Sequence, residues 1–177
     1  MKKFLMTAFL ILAVTTSIVA GSLALYTTRI DDLAEGSVVA KEFILVEGGV
    51  DTFVQNVKVA PGETNTWQFS VRNFDGALVS ETAMDLAFKV DVKAAEGKEA
   101  ISPLTVTVTN DEGAVVGTAV TGTGTISFAD IFPLTELGQE NVYTVTVAWP
   151  SGEGDIAYAG SGFGTTIHAA VTGTQKT

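Results

Sequence analysis

Apolar and polar residues alternate with a period of two along most of the chain. In residues 64–73, Trp67, Phe69 and Val71 fall on one side and polar residues on the other. The same alternation recurs at 84–92, 104–109, 143–149 and 167–171. This period is typical of half-buried β-strands, and no long segment has the 3.6-residue period of an amphipathic helix. The pattern predicts eight to ten short strands in an all-β, antiparallel β-sandwich that is jelly-roll-like.

Turn residues separate these predicted strands. Pro61 and Gly62 favour a type II turn, because proline presets φ and glycine accepts a positive φ. The sequence NFDG at 73–76 predicts a turn or bulge, and NDEG at 110–113 predicts a hairpin.

Other segments give weaker signals. The apolar run at 38–46 predicts a buried strand that ends before Gly48 and Gly49, and residues 53–59 predict a second short strand. Residues 131–137 are compatible with a short helix interrupted by proline, and residues 151–164 form a glycine-rich loop.

Residues 1–24 are predicted to be a signal peptide. Lys2 and Lys3 give a positive start, residues 4–14 are apolar, and small residues follow. Cleavage after Ala24 is favoured over cleavage after Ala20, which would place an isoleucine three residues before the cut. An uncleaved anchor is the alternative, since residues 4–26 are uncharged and long enough to span a bilayer. The chain then divides into residues 1–24, an N-terminal segment at 25–37 and a β-domain at 38–177.

Charge and composition limit the possible functions. The net charge of the 177-residue chain is −10, which disfavours nucleic-acid binding because such a surface repels phosphates. The chain contains no cysteine, so packing or partners must stabilise an exported form of the protein. A hydrophobic content of 46% excludes a disordered chain.

The sequence contains no convincing catalytic constellation, so we predict that the protein is not an enzyme and holds no catalytic metal or cofactor. His168 is the single histidine, and zinc peptidases generally need at least two imidazoles with a nearby carboxylate. Ser161 lacks the spacing of a nucleophile elbow. The acidic groups at 31–35 and 110–112 match no EF-hand loop and favour a turn and a solvated surface over a calcium site.

Four segments together resemble the TasA/camelysin family of exported, fibre-forming surface proteins. They are GSLA at 21–24 followed by Tyr26, VVAKEFIL at 38–45, VAPGETNTWQFSVRNFDG at 59–76, and the closing YTVTVAWP, DIAYAG and IHAAVTGTQ. The order and spacing of these motifs carry the resemblance, which covers most of the chain. Tyr26-Thr27-Thr28 departs from the aromatic-Asp pair that usually follows the cleavage site in this family.

The resemblance implies a secreted subunit that polymerises head-to-tail by donating a terminal strand to an identical subunit. The apolar stripe after the cleavage site is the expected donor, and its residues are Leu25, Tyr26, Thr28, Ile30 and Leu33. An extended peptide of this kind can add to an exposed sheet edge. The alternatives are that this segment pairs within its own domain or is disordered.

The expected product is an extracellular filament or pilus that serves adhesion or a biofilm matrix, and the membrane is involved only through the signal peptide. The acceptor groove is expected among core-facing aromatic residues, which include Trp67, Phe69, Phe88 and Trp149. Two other functions remain open. One is a monomeric surface module that binds carbohydrate or protein, with Trp149, Tyr158 and Phe163 as candidate contacts; the other, less favoured, is a camelysin-like metallopeptidase.

Overall fold

β-Strands are the main regular structure in the part of the chain that the structure describes. A computed structural model describes residues 40–176, and the predicted signal peptide and donor segment lie outside this range. The strands are β1 (Val46–Asp51), β2 (Thr64–Arg72), β3 (Phe74–Asp75), β4 (Leu78–Val79), β5 (Met84–Ala94), β6 (Thr105–Thr109), β7 (Val120–Thr121), β8 (Gly124–Phe132), β9 (Glu140–Ala148) and β10 (Thr165–Gln175). A 3-10 helix at Asp155–Tyr158 lies between the last two strands.

The strands form two antiparallel sheets that pack face to face. The larger sheet has the order β1-β2-β9-β6-β7, and the smaller has the order β10-β5-β8. Strands β3 and β4 form a separate hairpin. The prediction of an all-β antiparallel sandwich is confirmed, and non-consecutive neighbours such as β2 and β9 are in keeping with a jelly-roll-like architecture.

The core lies between the sheets and has an aromatic centre. Phe88 of β5 stacks on Phe128 of β8 with 4.6 Å between ring centroids, and Tyr143 of β9 approaches Phe88 at 4.7 Å. Phe69 of β2 stacks on Tyr143 at 5.2 Å, so the cluster joins the two sheets. Such aromatic pairs stabilise a core by about 0.5–1.5 kcal/mol each beyond the burial of their surface.

A polar contact also crosses between the sheets. The Tyr143 hydroxyl donates to the Asp130 carboxylate at 2.5 Å, and the Asn141 side-chain amide donates to the same carboxylate at 3.0 Å. Burial, followed by the hydrogen bond to Asp130, raises the pKa of Tyr143 well above its usual value. The phenol therefore stays protonated and keeps its role as a donor.

Two turn predictions are confirmed. Gly62 has φ of 88°, and the Glu63 N–H donates to the Ala60 carbonyl at 3.0 Å, which closes the predicted turn around Pro61. At 110–113, the Asn110 N–H donates to the Ala114 carbonyl and its side chain accepts from the Ala114 N–H. The returning chain first pairs with β6 through an isolated bridge between Thr109 and Val115 and pairs with it again through β7.

The predicted strand at 38–46 is wrong in its position. Strand β1 begins at Val46 and runs through both glycines that were expected to end a strand. A side chain at Gly48 would collide with Ser70, which lies on β2. Glycine here therefore permits close approach within the sheet and does not mark the end of a strand.

Three further expectations are corrected. The helix expected at 131–137 does not form, because Phe132 is fully buried and continues β8 opposite Met84. The strand expected at 53–59 is irregular chain. The last strand is longer than its apolar alternation indicated and reaches from Thr165 to Gln175. Among the residues described, no helix is both long and apolar enough to cross a bilayer.

Candidate assembly groove

A groove opens along one side of the sandwich, between the outermost strands of the two sheets. Strand β1 is the last strand of the larger sheet on this side, and β10 is the last strand of the smaller one. The groove has a volume of about 510 Å³. Its apolar lining comes from the segment around β1, from β2 and from β10: Leu45, Phe53, Phe69, Val71, Ile167, Ala169 and Val171.

Strand β10 forms the longer wall of the groove. All of its residues from Thr165 to Gln175 pair with β5, and no other strand within 40–176 pairs with its second edge. Ile167, Ala169 and Val171 point inward and pack against the core, but they are only half-buried. The position that would cover them in a complete sandwich is the groove itself.

The free edge of β10 lacks the features that usually block strand addition. Its sequence, TTIHAAVTGTQ, contains no lysine, carboxylate or proline. Natural sheets protect long edges with such residues or with bulges, because an unprotected edge pairs with other chains. An 11-residue edge of this composition is therefore a surface on which another strand can add.

Strand β1 forms the opposite wall and is irregular. Its pairing with β2 shifts register between Glu47 and Asp51, as in a β-bulge. Side chains hold this bulge in place: the Ser70 hydroxyl accepts from the Val50 N–H at 3.0 Å, and the Glu140 carboxylate accepts from the Gly49 N–H at 2.7 Å.

The hydrogen bond from the Ser70 hydroxyl to Glu140, at 2.5 Å, completes this cluster. It is the main cause of the lowered pKa of Glu140, and the Gly49 N–H is the second. The charged form of Glu140 is thus the form that fixes β1 to the sheet.

Aromatic rings cover the inner surface of the groove next to β1. Phe53 stacks on Trp67 with 5.4 Å between centroids and lies 6.3 Å from Phe69. Of the four aromatic residues expected to line an acceptor groove, Phe69 does so and Trp67 lies next to Phe53. Phe88 and Trp149 instead belong to the closed core, where their exposed fractions are 1% and 4%.

Sequence reasoning missed the small and branched residues of β10. Ile167, Ala169 and Val171 were recognised as a strand, but nothing assigned them to a groove. The available signal was the absence of charged residues and proline from residues 165–175.

The first described residues lie at one end of the groove. The Glu42 carbonyl accepts from the Glu81 N–H at 2.9 Å, and the Glu42 N–H donates to the Glu81 carboxylate at 3.1 Å. Leu45 lies against the backbone of Gly173 near the end of β10. The predicted donor residues Leu25, Tyr26, Thr28, Ile30 and Leu33 lie outside the described residues.

The other candidate sites are not brought together into a reactive arrangement. His168 is exposed on the outer face of β10 opposite Asp91. The pKa of Asp91 is lowered chiefly by its hydrogen bond with Lys93 and then by that with Thr125. Within residues 40–176, no three His, Cys, Asp or Glu side chains are grouped as metal ligands.

The aromatic residues of the glycine-rich loop contact the protein itself. The buried Trp149 indole donates to Asp155 at 3.1 Å, and Tyr158 and Phe163 pack edge to face at 5.4 Å. These contacts are typical of aromatic residues that anchor a loop, and not of a flat aromatic surface that binds a sugar. The acidic residues at 31–35 lie outside the described residues, and those at 110–112 belong to the turn described above.

Comparisons with known proteins supply no identification. No family model, no curated protein and no solved structure matches the chain.

Proposed function

We propose that this protein is the exported structural subunit of an extracellular filament, which grows as each subunit donates its N-terminal segment to the next. The observation that supports this proposal is the groove between β1 and β10, where half-buried apolar side chains lie beside an unprotected 11-residue strand edge. A strand added there would bury Ile167, Ala169 and Val171 and extend the smaller sheet.

The length of the proposed donor suits this edge. Residues 25–37 comprise 13 residues, which span about 43 Å when extended, and an 11-residue strand spans about 36 Å. The donor therefore covers β10 and leaves a short connection to the domain at Glu42.

The direction of the donor distinguishes assembly from self-pairing. The donor segment precedes the first described residues, and these lie at the Gly173 end of the groove. If it folded back into its own groove, it would run parallel to β10. If it enters a neighbour stacked end to end, it approaches from the neighbour's Thr165 end and runs antiparallel to β10. The second arrangement is open-ended and builds a filament.

Two features of the groove favour a strand over a small ligand. The groove is elongated between two strands, and its long wall offers backbone groups that a peptide can pair with. We infer from this that the monomeric binding module is the weaker candidate, and the absence of a grouped metal-ligand set within residues 40–176 gives no support to a metallopeptidase.

Removal of the donor tests the proposal. The protein from residue 25 onward should form filaments visible by negative-stain electron microscopy. The protein lacking residues 25–35 should be a folded monomer by circular dichroism and light scattering, and should bind a synthetic peptide of residues 25–37. A peptide with the same residues in shuffled order is the control. Filaments of normal length from the truncated protein would contradict the proposal.

A further inference from the structure

The two most exposed large apolar side chains within residues 40–176 lie at opposite ends of the sandwich. Ile156 is 87% exposed and Leu137 is 78% exposed. Single exposed apolar residues are common on protein surfaces, so the position of these two matters more than their number. Ile156 lies in the loop that leads from β9 to Thr165 at the start of β10, and Leu137 lies at the opposite end, where Gly173 is located.

Strand pairing fixes the position of Leu137. It belongs to the loop between β8 and β9, which begins directly after Phe132. Phe132 pairs with Met84, and Met84 pairs with Gln175, the last residue of β10. The same loop carries Leu134, which is 59% exposed. This end of the sandwich therefore presents two exposed leucines close together in the chain.

Hydrogen bonds hold the turn that carries Ile156. The Asp155 carboxylate accepts from the Gly152 N–H at 2.6 Å and from the Trp149 indole at 3.1 Å. Because Trp149 is buried, these bonds anchor the turn to the core of the domain. Ile156 is thus presented in one place, which lowers the entropy cost of a contact with another molecule.

The loop that carries the two leucines is also held in place. The Gln139 N–H donates to the side-chain oxygen of the buried Asn73 at 2.7 Å. Gly138 lies so close to the ring of Phe74 that a side chain at this position would collide with it. Both ends of the sandwich therefore display apolar side chains on anchored loops.

We infer that Ile156 of one subunit packs against Leu134 and Leu137 of the next subunit along the filament. This inference rests on the proposed function, in which the Gly173 end of one subunit meets the Thr165 end of its neighbour. The contact joins two different surfaces, so it repeats along the filament without closing. It adds an apolar contact between the ends of the sandwiches to the inserted donor strand.

The size of the ends explains why this contact depends on the donor. Two packed sheets, the larger of five strands, give each end an area on the order of 500 Å². A stable interface buries about 800 Å² on each partner. The end contact alone is therefore too small to join subunits. Subunits with a net charge of −10 also repel one another, and uncharged side chains can meet without adding to that repulsion.

Two measurements distinguish the end contact from the groove. In the protein from residue 25 onward, Ile156→Asp should raise the critical concentration for polymerisation, measured by sedimentation, by about tenfold or more, because a carboxylate would be buried against leucines. In the form lacking residues 25–35, the same change should leave the affinity for the 25–37 peptide within about twofold, because Ile156 does not line the groove. Leu137→Asp should have the same two effects.

The matched control is Val115→Asp. Val115 is 62% exposed and pairs with Thr109, which pairs with Thr144 in the middle of β9, so it lies away from both ends. The control adds the same charge at an exposed apolar position and should raise the critical concentration by no more than about twofold. Urea unfolding of the forms lacking residues 25–35 verifies that each variant folds.

A second pair of variants tests whether the two side chains meet. When Leu137→Lys is added to Ile156→Asp, the critical concentration should fall by about threefold or more, because opposite charges then meet across the contact. Val115→Lys added to Ile156→Asp restores the same net charge away from the contact and should give no comparable recovery.

The outcomes separate the inference from the proposed function. If the wild-type protein does not polymerise, the proposed function fails and the inference fails with it. If the wild type polymerises and Ile156→Asp or Leu137→Asp behaves like Val115→Asp, the end contact is overturned and the filament function stands. The same holds if Leu137→Lys restores polymerisation no better than Val115→Lys, or if Ile156→Asp abolishes peptide binding.

Discussion

The two sides of the sandwich differ in how their edges are covered. On the side of β7 and β8, the segment 114–123 crosses between the sheets, and Val116 and Val120 pack against the core. On the opposite side, β1 and β10 are separated by the groove, and Ile167 and Val171 stay half-buried. Among residues 40–176, the same kind of edge is completed by the chain itself on one side and left incomplete on the other.

Under the proposed function, this difference lets one domain combine stability with assembly. Gly117, with φ of 72°, lets the crossing segment lie against Ile126, where a side chain would collide. This closed side can hold the fold together without a partner. The open side can then expose apolar surface and an unpaired edge, which under the proposed function another strand covers during assembly.

The largest expected effect is a loss of domain stability when a residue on the closed side is changed. Ile126→Ala, at a residue of 1% exposure on β8, should lower the free energy of unfolding by about 2–5 kcal/mol. Urea denaturation of the form lacking residues 25–35 measures this loss. Filaments of this variant should be destabilised by no more than the loss measured for the isolated subunit.

The corresponding change on the open side should act mainly on assembly. In the form lacking residues 25–35, Ile167→Ala should cost about 1–2 kcal/mol, because the side chain is only half-buried before a donor covers it. In the protein from residue 25 onward, the lost contact with the donor should raise the critical concentration about fivefold further. The distinction between the two sides would be contradicted by a combined result. Ile126→Ala and Ile167→Ala would lower the free energy of unfolding equally, and Ile167→Ala would leave the critical concentration unchanged.

A smaller effect concerns the bulge of β1 and its dependence on pH. The folded-state pKa of Glu140 lies below its ordinary value of 4.5, so its stabilising contribution is present above pH 4.5 and is lost as the pH falls through the lower folded pKa. Because Glu140 is exposed, the contribution is about 0.5 kcal/mol or less.

The matched test compares Glu140→Gln with Glu136→Gln, which changes an exposed carboxylate in the loop between β8 and β9. From pH 7 to pH 3, the free energy of unfolding should fall less in Glu140→Gln than in the wild type or in Glu136→Gln. Identical pH profiles for all three proteins would show that Glu140 does not hold β1 through its charge.

The alternation of residues predicted most of the fold, because strand periodicity is local. Residues 64–73, 84–92 and 143–149 all form strands close to those bounds. Errors arose where tertiary contacts override local signals. Gly48 and Gly49 were expected to end a strand, but both lie within β1, where Ser70 fills the space beside Gly48. The segment after Ile131 read as a helix, but β5 pairs with Phe132 and keeps it extended.

The groove was harder to predict than the strands. Its walls come from residues about 120 positions apart in the chain, and no local pattern states that β1 and β10 lie on the same side. The alternation of Ile167, Ala169 and Val171 indicated a strand with one buried face, but not that the face is only partly covered. The apolar stripe at 25–33 indicated a possible donor without indicating the surface that receives it.

Cysteine cross-linking tests most directly whether a neighbour's N-terminal segment fills the groove. The chain has no native cysteine, so each engineered pair reports one contact. Thr27→Cys with Thr172→Cys should form intermolecular disulfides and a ladder of covalent oligomers, because an antiparallel donor places residue 27 near the Gly173 end of a neighbour. Efficient closure of Thr27→Cys with Thr166→Cys within a single chain, and no ladder from the first pair, would show that the segment lies in its own groove and would contradict the account.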